Sequence, residues 1–344
     1  MKPLRFILLP MSAIYWIATS IRNFLFDKNI FKSTEFDVPV INVGNLSMGG
    51  AGKTPHCEYI IELLRKDYKI ALLSRGYGRK TVSYKEVEPT HPFLSVGDEP
   101  LQVKTKFPEV TVSVENNRVK GILNLLYDHP ETEVVLLDDA FQHRSIRPGL
   151  NILLTKYHHP FYNDYIFPVG NLRESSGGSK RADLIIVTKC PEHISERQKK
   201  SVESAINANA IIYFTKISYG KIEPIFNSPA LSLNQSLNIL LVTGIASTEH
   251  ITAKLKDDKL NFKHLKYRDH YPFSEKDADK ISEIFDNFAS GNKKIILTTE
   301  KDAMRIKNVE KLSKFPLYYI PIKIEFISEK ESFDQKLKKY VANN

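Results

Sequence analysis

A glycine-rich segment that ends in Gly-Lys-Thr is the clearest sign of chemistry in this 344-residue chain. It follows an apolar run at 40–43 and reads Ser47-Met48-Gly49-Gly50-Ala51-Gly52-Lys53-Thr54. Glycines let backbone N–H groups surround an anion, the lysine reaches the β and γ phosphates of a nucleotide, and the last hydroxyl binds Mg²⁺. Ser47 stands where the usual pattern has its first glycine, so the sequence predicts a variant phosphate-binding loop.

Two adjacent carboxylates form the second candidate group. Asp138 and Asp139 directly follow the apolar residues 134–137, which predict a strand. A phosphate-loop enzyme holds its Mg²⁺ with a carboxylate at such a strand end. A solvated turn with a helix cap is the alternative interpretation of this pair.

A single carboxylate and a single histidine could also move a proton. Asp98 lies in a turn between Gly97 and Pro100, where it could accept a proton or act only as a turn residue. His270 stands alone near Pro272, and an isolated histidine is more often structural or exposed. Spacing alone does not pair His270 with Asp98.

Several arginines and one asparagine lie beside predicted strand ends and loops. They are Arg75, Arg79, Asn116, Arg118 and Arg173. Guanidinium groups bind phosphate through paired hydrogen bonds. One such arginine is ordinarily a solvated surface group, but their number on one predicted face favours contacts with a phosphorylated substrate.

The elements that must position these residues alternate between apolar strands and amphipathic helices. This alternation predicts an α/β fold like that of P-loop NTPases, with a mostly parallel sheet, helices on both faces and ligands at the carboxyl ends of the strands. The predicted organisation is a membrane-associated N-terminal helix at 1–30, a phosphate-loop kinase core at 31–220, a connector at 221–235, a smaller α/β domain at 236–328 and a C-terminal helix with a frayed end at 329–344.

Composition narrows the class of partner. The chain has 49 Lys and Arg residues against 40 Asp and Glu residues, and a net charge of +9 predicts attraction to a polyanion. Nucleic acid is not the predicted partner, because no basic stripe interleaved with stacking aromatic residues is present. Cys57 and Cys190 form no metal-spaced cluster, which argues against a cysteine-ligated zinc site and a disulfide framework.

The N-terminal segment at 6–26 is apolar, with Tyr15 and Trp16 near its centre and only Arg22 charged. Pro10 and Arg22 weaken a full membrane span, and no convincing signal-peptide cleavage site follows the apolar stretch. An interfacial helix that lies on an anionic membrane surface fits better. The alternative is a helix packed on the protein's own core.

Six separated segments, in order, resemble the tetraacyldisaccharide 4′-kinases of lipid A synthesis. They are residues 43–55, 73–78, 96–100, 138–143, 172–174 and 299–302. The resemblance implies a kinase at the cytoplasmic face of the inner membrane that uses ATP and Mg²⁺. Its acceptor would be the 4′-hydroxyl of a disaccharide 1-phosphate lipid, and no protein partner is expected.

The same resemblance implies roles for individual residues. Asp98 would be the base of an Asp-His pair with His270 as its partner, and His264 is the fallback for the histidine. Residues 47–54 would bind ATP, and the metal set would be Thr54, Asp138, Asp139, Gln142 and Glu174. A membrane-associated GTPase or ATPase switch is the alternative function, but the segment nearest to a guanine-reading motif, Thr188-Lys189-Cys190-Pro191, lacks the final Asp that binds the base.

Overall fold

A computed structural model describes residues 3–288 and 293–344, and within them the chain forms fourteen strands and ten α-helices. The strands are β1 Val40–Asn45, β2 Ile70–Ser74, β3 Lys85–Glu86, β4 Thr111–Val114, β5 Val134–Asp138, β6 Leu150–Lys156, β7 Leu184–Thr188, β8 Ile211–Tyr219, β9 Glu223–Pro224, β10 Asn238–Thr243, β11 Asn261–Lys266, β12 Lys294–Thr299, β13 Leu317–Ile320 and β14 Ile322–Phe326. The helices are α1 Leu9–Asp27, α2 Lys53–Leu64, α3 Phe93–Val96, α4 Asp98–Lys106, α5 Arg118–Asp128, α6 Glu196–Ile206, α7 Glu249–Asp257, α8 Glu275–Asn287, α9 Glu300–Ile306 and α10 Lys330–Ala342. Short 3-10 helices lie at Pro3–Leu8, Phe161–Asn163, Ser176–Arg181 and Glu310–Lys314.

Nine strands form the larger sheet, in the order β14-β8-β7-β6-β1-β5-β2-β4-β3. Its pairs are parallel except at the two edges, where β14 and β3 run antiparallel to their neighbours. In the central pair, Val43 of β1 lies opposite Asp138 of β5. The loop after β1 and the acidic pair after β5 therefore start side by side at one edge of the sheet.

Both faces of the larger sheet are covered, because successive strand residues point to opposite sides. Leu136 lies in a core with Ile60 of α2, whereas Leu137 packs in a different core with Ile122 of α5. Strands buried on both faces read as continuous apolar runs, which is the pattern of β2 and β5. The predicted α/β fold class is confirmed.

Five strands form the smaller sheet, in the order β11-β10-β12-β13-β9. The first four are parallel, and β9 is antiparallel to β13. Helix α8 begins with a capping box in which Ser274 and Asp277 each bond the other's backbone. The predicted domain ranges include residues 1–2 and 289–292, which lie outside the described residues.

The structure departs from the predicted ranges at both ends of the smaller unit. Strand β14, placed by the sequence analysis in the smaller domain, pairs with β8 of the larger sheet. Strand β9 lies within the predicted connector but pairs with β13. Helix α10 is not a loosely attached tail, because Phe333, Leu337 and Val341 are buried in the core beneath the larger sheet. The chain thus returns to the first unit after building the second.

Helix α1 lies across the loop that precedes the 3-10 helix at Ser176–Arg181. Two hydroxyl groups of the helix donate hydrogen bonds to this loop. The Ser12 hydroxyl donates to the carbonyl of Ile166 at 2.7 Å, and the Tyr15 hydroxyl donates to the carbonyl of Arg173 at 3.0 Å. Ser12 is the only buried residue of the helix, so most of its apolar side chains face outward. Among the described helices, none has the length and apolar content that crossing a membrane requires.

A buried charge cluster joins the two units. Lys106 of α4 lies 2.6 Å from Glu58 of α2 and 3.2 Å from Glu300 of α9. One ammonium neutralises only one carboxylate. Burial, reinforced by the nearby Glu58, therefore raises the pKa of Glu300 to about 7.

We expect Leu337→Ala to lower the free energy of unfolding by about 2–5 kcal/mol, because it leaves a cavity at a fully buried position. Urea denaturation measures the change. The exposed Lys339→Ala on the same helix should stay within about 0.5 kcal/mol of wild type. Equal losses in the two variants would contradict the packing of α10 described above.

We expect Glu300→Gln to stabilise the protein at pH 8 by about 1–3 kcal/mol and to change little at pH 5. A raised pKa means that the folded protein binds the proton more tightly than the unfolded chain, so stability falls as pH rises from 4.5 towards 7. Glutamine removes the ionised form that causes this loss. Thermal unfolding at the two pH values measures it, with the exposed Glu310→Gln as control. Equal effects of Glu300→Gln at both pH values would refute the assignment.

Candidate active site

The phosphate-binding loop spans the seven residues between β1 and α2, and its backbone needs glycine at two of them. Gly49 and Gly52 have φ values of 92° and 89°, in the left-handed region that residues with a Cβ rarely adopt. Helix α2 starts immediately after Gly52, so its N-terminus faces the loop. This arrangement is the anion-binding geometry predicted for residues 47–54.

Neighbouring segments hold the loop in place from two sides. The Met48 N–H donates to the carbonyl of Asn171 at 2.7 Å, and the Arg173 N–H donates to the carbonyl of Leu46 at 2.8 Å. The Thr188 hydroxyl, at the end of β7, donates to the carbonyl of Ala51 at 2.9 Å. The loop is therefore held by the connection between β6 and β7 and by the end of β7.

A close approach at Gly44 sets the position of the acidic pair. A Cβ atom added at Gly44 would lie 2.6 Å from the Cβ atom of Phe141, so only glycine fits there. Phe141 belongs to the turn that starts at Asp138 and Asp139. Because Gly44 has no side chain, this turn packs directly against β1 at the base of the phosphate loop.

Alternating charges cross the site. The Lys53 ammonium lies 3.5 Å from Asp139 and 3.3 Å from the side-chain oxygen of Asn45, and the Arg173 guanidinium lies 2.7 Å from Asp139. Burial alone would raise the pKa of Asp139, but Lys53 and Arg173 bring it below its usual value. Asp139 therefore stays a carboxylate, and it orients the lysine of the loop.

Asp138 has a different environment. The Ser74 hydroxyl donates to its Oδ2 at 3.0 Å, whereas its Oδ1 is buried with no hydrogen-bond partner among the described residues. Burial, with Glu99 nearby, raises the pKa of Asp138 to about 7. An unpartnered buried carboxylate oxygen is what a bound cation would satisfy, so the site fits a divalent metal. Among the described residues, no group of three or more Asp, Glu, His or Cys side chains could hold a metal ion by itself.

Gln142 and Glu174 lie beside the loop but already have protein partners. Gln142 donates to the carbonyl of Asn45 and to Glu174, each at 3.0 Å. Glu174 also accepts from Arg181 at 2.8 Å and from Asn23 of α1 at 2.6 Å. In the structure Gln142 and Glu174 stabilise the base of the loop through these hydrogen bonds. Their role as metal ligands stays a prediction.

The predicted phosphate-binding residues do not all lie together, and Arg173 stands apart at Asp139. Arg75, Arg79 and Asn116 line one shared cavity of about 240 Å³. Arg118, by contrast, is 1% exposed and donates to the backbone carbonyls of Glu115 and Asp138. Its guanidinium supports the strand ends, so the prediction that it contacts substrate is not supported by its position.

The structure brings Asp98 and His270 together, although 172 residues separate them. His270 Nδ1 lies 2.9 Å from Asp98 Oδ2, and Arg305 Nε of α9 lies 3.4 Å from the same oxygen. Burial would raise the pKa of Asp98, but His270, Lys301 and Arg305 hold it below its usual value. Asp98 is thus an ionised, 3% exposed carboxylate at the start of α4.

His264, the fallback partner, lies elsewhere. It is on the edge strand β11, and its Nε2 is 2.8 Å from the Thr243 hydroxyl. His270 follows this strand and has a left-handed φ of 54°, with its N–H donating to the carbonyl of Gly244 at 3.0 Å. The strained turn, and not the strand, presents the histidine to Asp98.

The turn at Arg75–Arg79 lies against Asp98. A Cβ atom added at Gly97 would be 3.0 Å from Gly76, and the Tyr77 ring lies 4.9 Å from the His270 ring. Ser74, which precedes this turn, donates to Asp138 beside the phosphate loop. The turn with Arg75 and Arg79, the acid-histidine pair and the acidic pair therefore belong to one region.

Comparison with known proteins identifies the family. The model of the tetraacyldisaccharide-1-P 4′-kinase family, LpxK, matches residues 4–342. The chain belongs to this kinase family.

Relatives match over nearly their whole length. The tetraacyldisaccharide 4′-kinase of Flavobacterium psychrophilum is 46% identical over 100% of this chain and 99% of its own, and that of Bacteroides thetaiotaomicron is 44% identical over 98% and 93%. The solved structure of LpxK from Aquifex aeolicus, described as an "apo" form in complex with ATP, is 28% identical and has a TM-score of 0.76. It covers 98% of this chain and 99% of its own. The resemblance found in the sequence is confirmed.

Sequence reasoning missed several residues of this LpxK-family site. Lys301 and Arg305 stand one helical turn apart on α9 and both face Asp98, while Arg181 neutralises Glu174. The segment at 299–302 was one of the family matches, so a signal for Lys301 existed. The sequence did not predict which residues Lys301 contacts, because those residues lie on other elements.

Proposed function

We propose that this protein transfers the γ-phosphate of ATP to the 4′-hydroxyl of a tetraacyldisaccharide 1-phosphate lipid in lipid A synthesis. The observation that carries the proposal is the contact of Asp98 with His270 beside a phosphate-binding loop, in a chain that belongs to the LpxK family. The curated relatives bear the name of this activity, and one solved relative binds ATP.

Residues 47–54 are proposed to bind the triphosphate. Asn45 and Asp139 hold Lys53 at the start of α2, which supports its proposed role of neutralising the β and γ phosphates. Arg173, paired with Asp139, adds positive charge on the same side. Phosphoryl transfer needs positioning and charge neutralisation more than covalent help, and these cations provide both.

Thr54, Asp138 and Asp139 are proposed to hold Mg²⁺, with Gln142 and Glu174 around them. The unpartnered Oδ1 of Asp138 supports this assignment. When bound, the metal would neutralise charge on the phosphate oxygens.

Asp98 is proposed to act as the general base. As the 4′-oxygen forms its bond to the γ-phosphorus and the bond to the bridging oxygen of ADP breaks, the hydroxyl proton passes to Asp98. The lowered pKa keeps the carboxylate ionised and ready to accept, and His270 orients it. General-base catalysis of this kind contributes about 10²–10⁴ in rate.

The acceptor is proposed to be met at a membrane surface, at the cytoplasmic face of the inner membrane. Helix α1 presents exposed apolar side chains, among them Ile14 at 69% and Ile17 at 49% exposure. Apolar residues on one side of a helix bury in the lipid interface, and nearby cations favour anionic lipid. Arg75, Arg79, Asn116 and Arg173 are proposed to contact the phosphorylated disaccharide.

Radioactive γ-phosphate transfer from Mg-ATP to the detergent-dispersed lipid tests the reaction. We expect Asp98→Asn to lower kcat by about 10²–10⁴ and Lys53→Ala to lower kcat/KM for ATP by at least about 10². Asp257→Asn, an exposed change on α7, should retain full activity. ATP hydrolysis that needs Lys53 but yields no phosphorylated lipid would instead favour the nucleotide switch.

Co-sedimentation with anionic lipid vesicles tests whether α1 contacts the membrane. We expect the double variant Ile14→Glu with Ile17→Glu to weaken binding by about tenfold or more, since two apolar side chains leave the lipid and two charges are added. Leu123→Glu, at an equally exposed apolar position on α5, is the matched control and should bind like wild type. Unchanged binding by the double variant would exclude α1 as the membrane contact.

A further inference from the structure

Lys301 lies between the acid-histidine pair and a second carboxylate. Its Nζ is 3.1 Å from His270 Nε2 and 2.9 Å from Glu99 Oε1, and 21% of its side chain is exposed. Lys301 comes from α9, whereas Glu99 and Asp98 are the first two residues of α4. The ammonium therefore completes a row of four groups, Glu99, Lys301, His270 and Asp98, that crosses from one unit to the other.

The donors in this row determine where the imidazole proton lies. A lysine ammonium has three N–H donors and no acceptor, so the ring nitrogen facing it must accept. Nε2 is that nitrogen, and the ring proton of neutral His270 is then on Nδ1, which faces the Asp98 carboxylate at 2.9 Å. The opposite tautomer would direct an N–H at the ammonium and a lone pair at the carboxylate, which are two repulsive contacts.

The surroundings keep Lys301 charged. Burial alone would lower the pKa of Lys301, but Glu99 and Asp98, with Asp269 further away, raise it above its ordinary value. Arg305, one turn further along α9, contacts Asp98 and not His270, so among the described residues Lys301 is the donor at Nε2.

We propose that Lys301 is a positioning residue that fixes His270 in the Nδ1–H tautomer. The histidine then donates to Asp98 and takes no proton from it, because Nδ1, the nitrogen that faces Asp98, already carries the ring proton and Nε2 accepts from the ammonium. This inference rests on the proposed kinase reaction and deepens it: the proton of the acceptor hydroxyl stays on Asp98 and is not relayed through the ring. A lysine that served only to join α4 to α9 through Glu99 would not affect the tautomer.

Nitrogen-15 NMR of full-length protein labelled at histidine, in detergent, tests the proposal. His270 signals are assigned by their loss in His270→Asn. We expect a protonated-type signal at Nδ1 and an unprotonated-type signal at Nε2 in wild type, and a mixture of tautomers in Lys301→Met. Lys301→Arg, which restores a donor, should return the wild-type pattern. Lys280→Met, at an exposed position on α8, should leave it unchanged.

Kinetics give the second readout. We expect Lys301→Met to lower kcat by about 10²-fold through misplacement of the pair, with a much smaller change in KM for the lipid. Lys301→Arg should recover most of that loss, and thermal unfolding checks that each variant is folded. An unchanged tautomer in folded Lys301→Met overturns the proposal, whatever its activity.

The test of the proposed kinase reaction and the test of the tautomer are independent of each other. If wild-type protein transfers no phosphate to the lipid, the proposed function fails, whereas the NMR comparison still decides whether Lys301 fixes the tautomer. A mixed His270 tautomer in wild type would overturn the proposal even in an active kinase.

Discussion

The hydrogen bond between Asp98 and His270 is the contact on which the assembled site depends. Asp98 begins a helix of the larger unit, and His270 lies in a turn of the smaller unit, so their 2.9 Å separation requires the two sheets to pack in one orientation. Lys106 with Glu58 and Glu300 fixes that orientation on one side, and Lys301 with Glu99 fixes it next to the pair itself. Contacts between helices of the two units thereby hold the Asp98-His270 pair, which neither unit contains alone.

The carboxylates of Asp98, Asp138 and Asp139 lie in different environments, and this suits them to different roles. Burial raises the pKa of Asp138 to about 7, and one of its oxygens has no hydrogen-bond partner within the described part of the chain. Neighbouring cations instead lower the pKa values of Asp98 and Asp139. A carboxylate that lacks a neighbouring cation would suit a metal ligand, whereas carboxylates paired with cations remain ionised and orient the groups that they contact. Proximity to Lys53 and Arg173, more than chain position, distinguishes Asp139 from its neighbour Asp138.

Hydrogen bonds connect helix α1 to the phosphate loop. Asn23 of α1 donates to Glu174, which also accepts from Gln142 and Arg181, and Gln142 in turn donates to the carbonyl of Asn45 at the base of the phosphate loop. The apolar face of α1 points away from these contacts. A lipid acceptor that meets this face would therefore approach the loop from the side on which α1 lies, which fits a kinase family whose acceptor carries acyl chains.

Local residue patterns were enough to predict the phosphate loop, the acidic pair at the end of β5, the α/β class and the family, because each follows from residue types a few positions apart or from motifs in order. They could not choose between His270 and His264, place β14 in the larger sheet, or reveal that Lys301 contacts His270 and that Arg118 serves the backbone. Those outcomes depend on contacts between distant segments, and no local periodicity encodes which segments meet. Tertiary structure decided them because packing of two sheets, and the neutralisation of buried charge between them, selects one set of neighbours among many that the sequence allows.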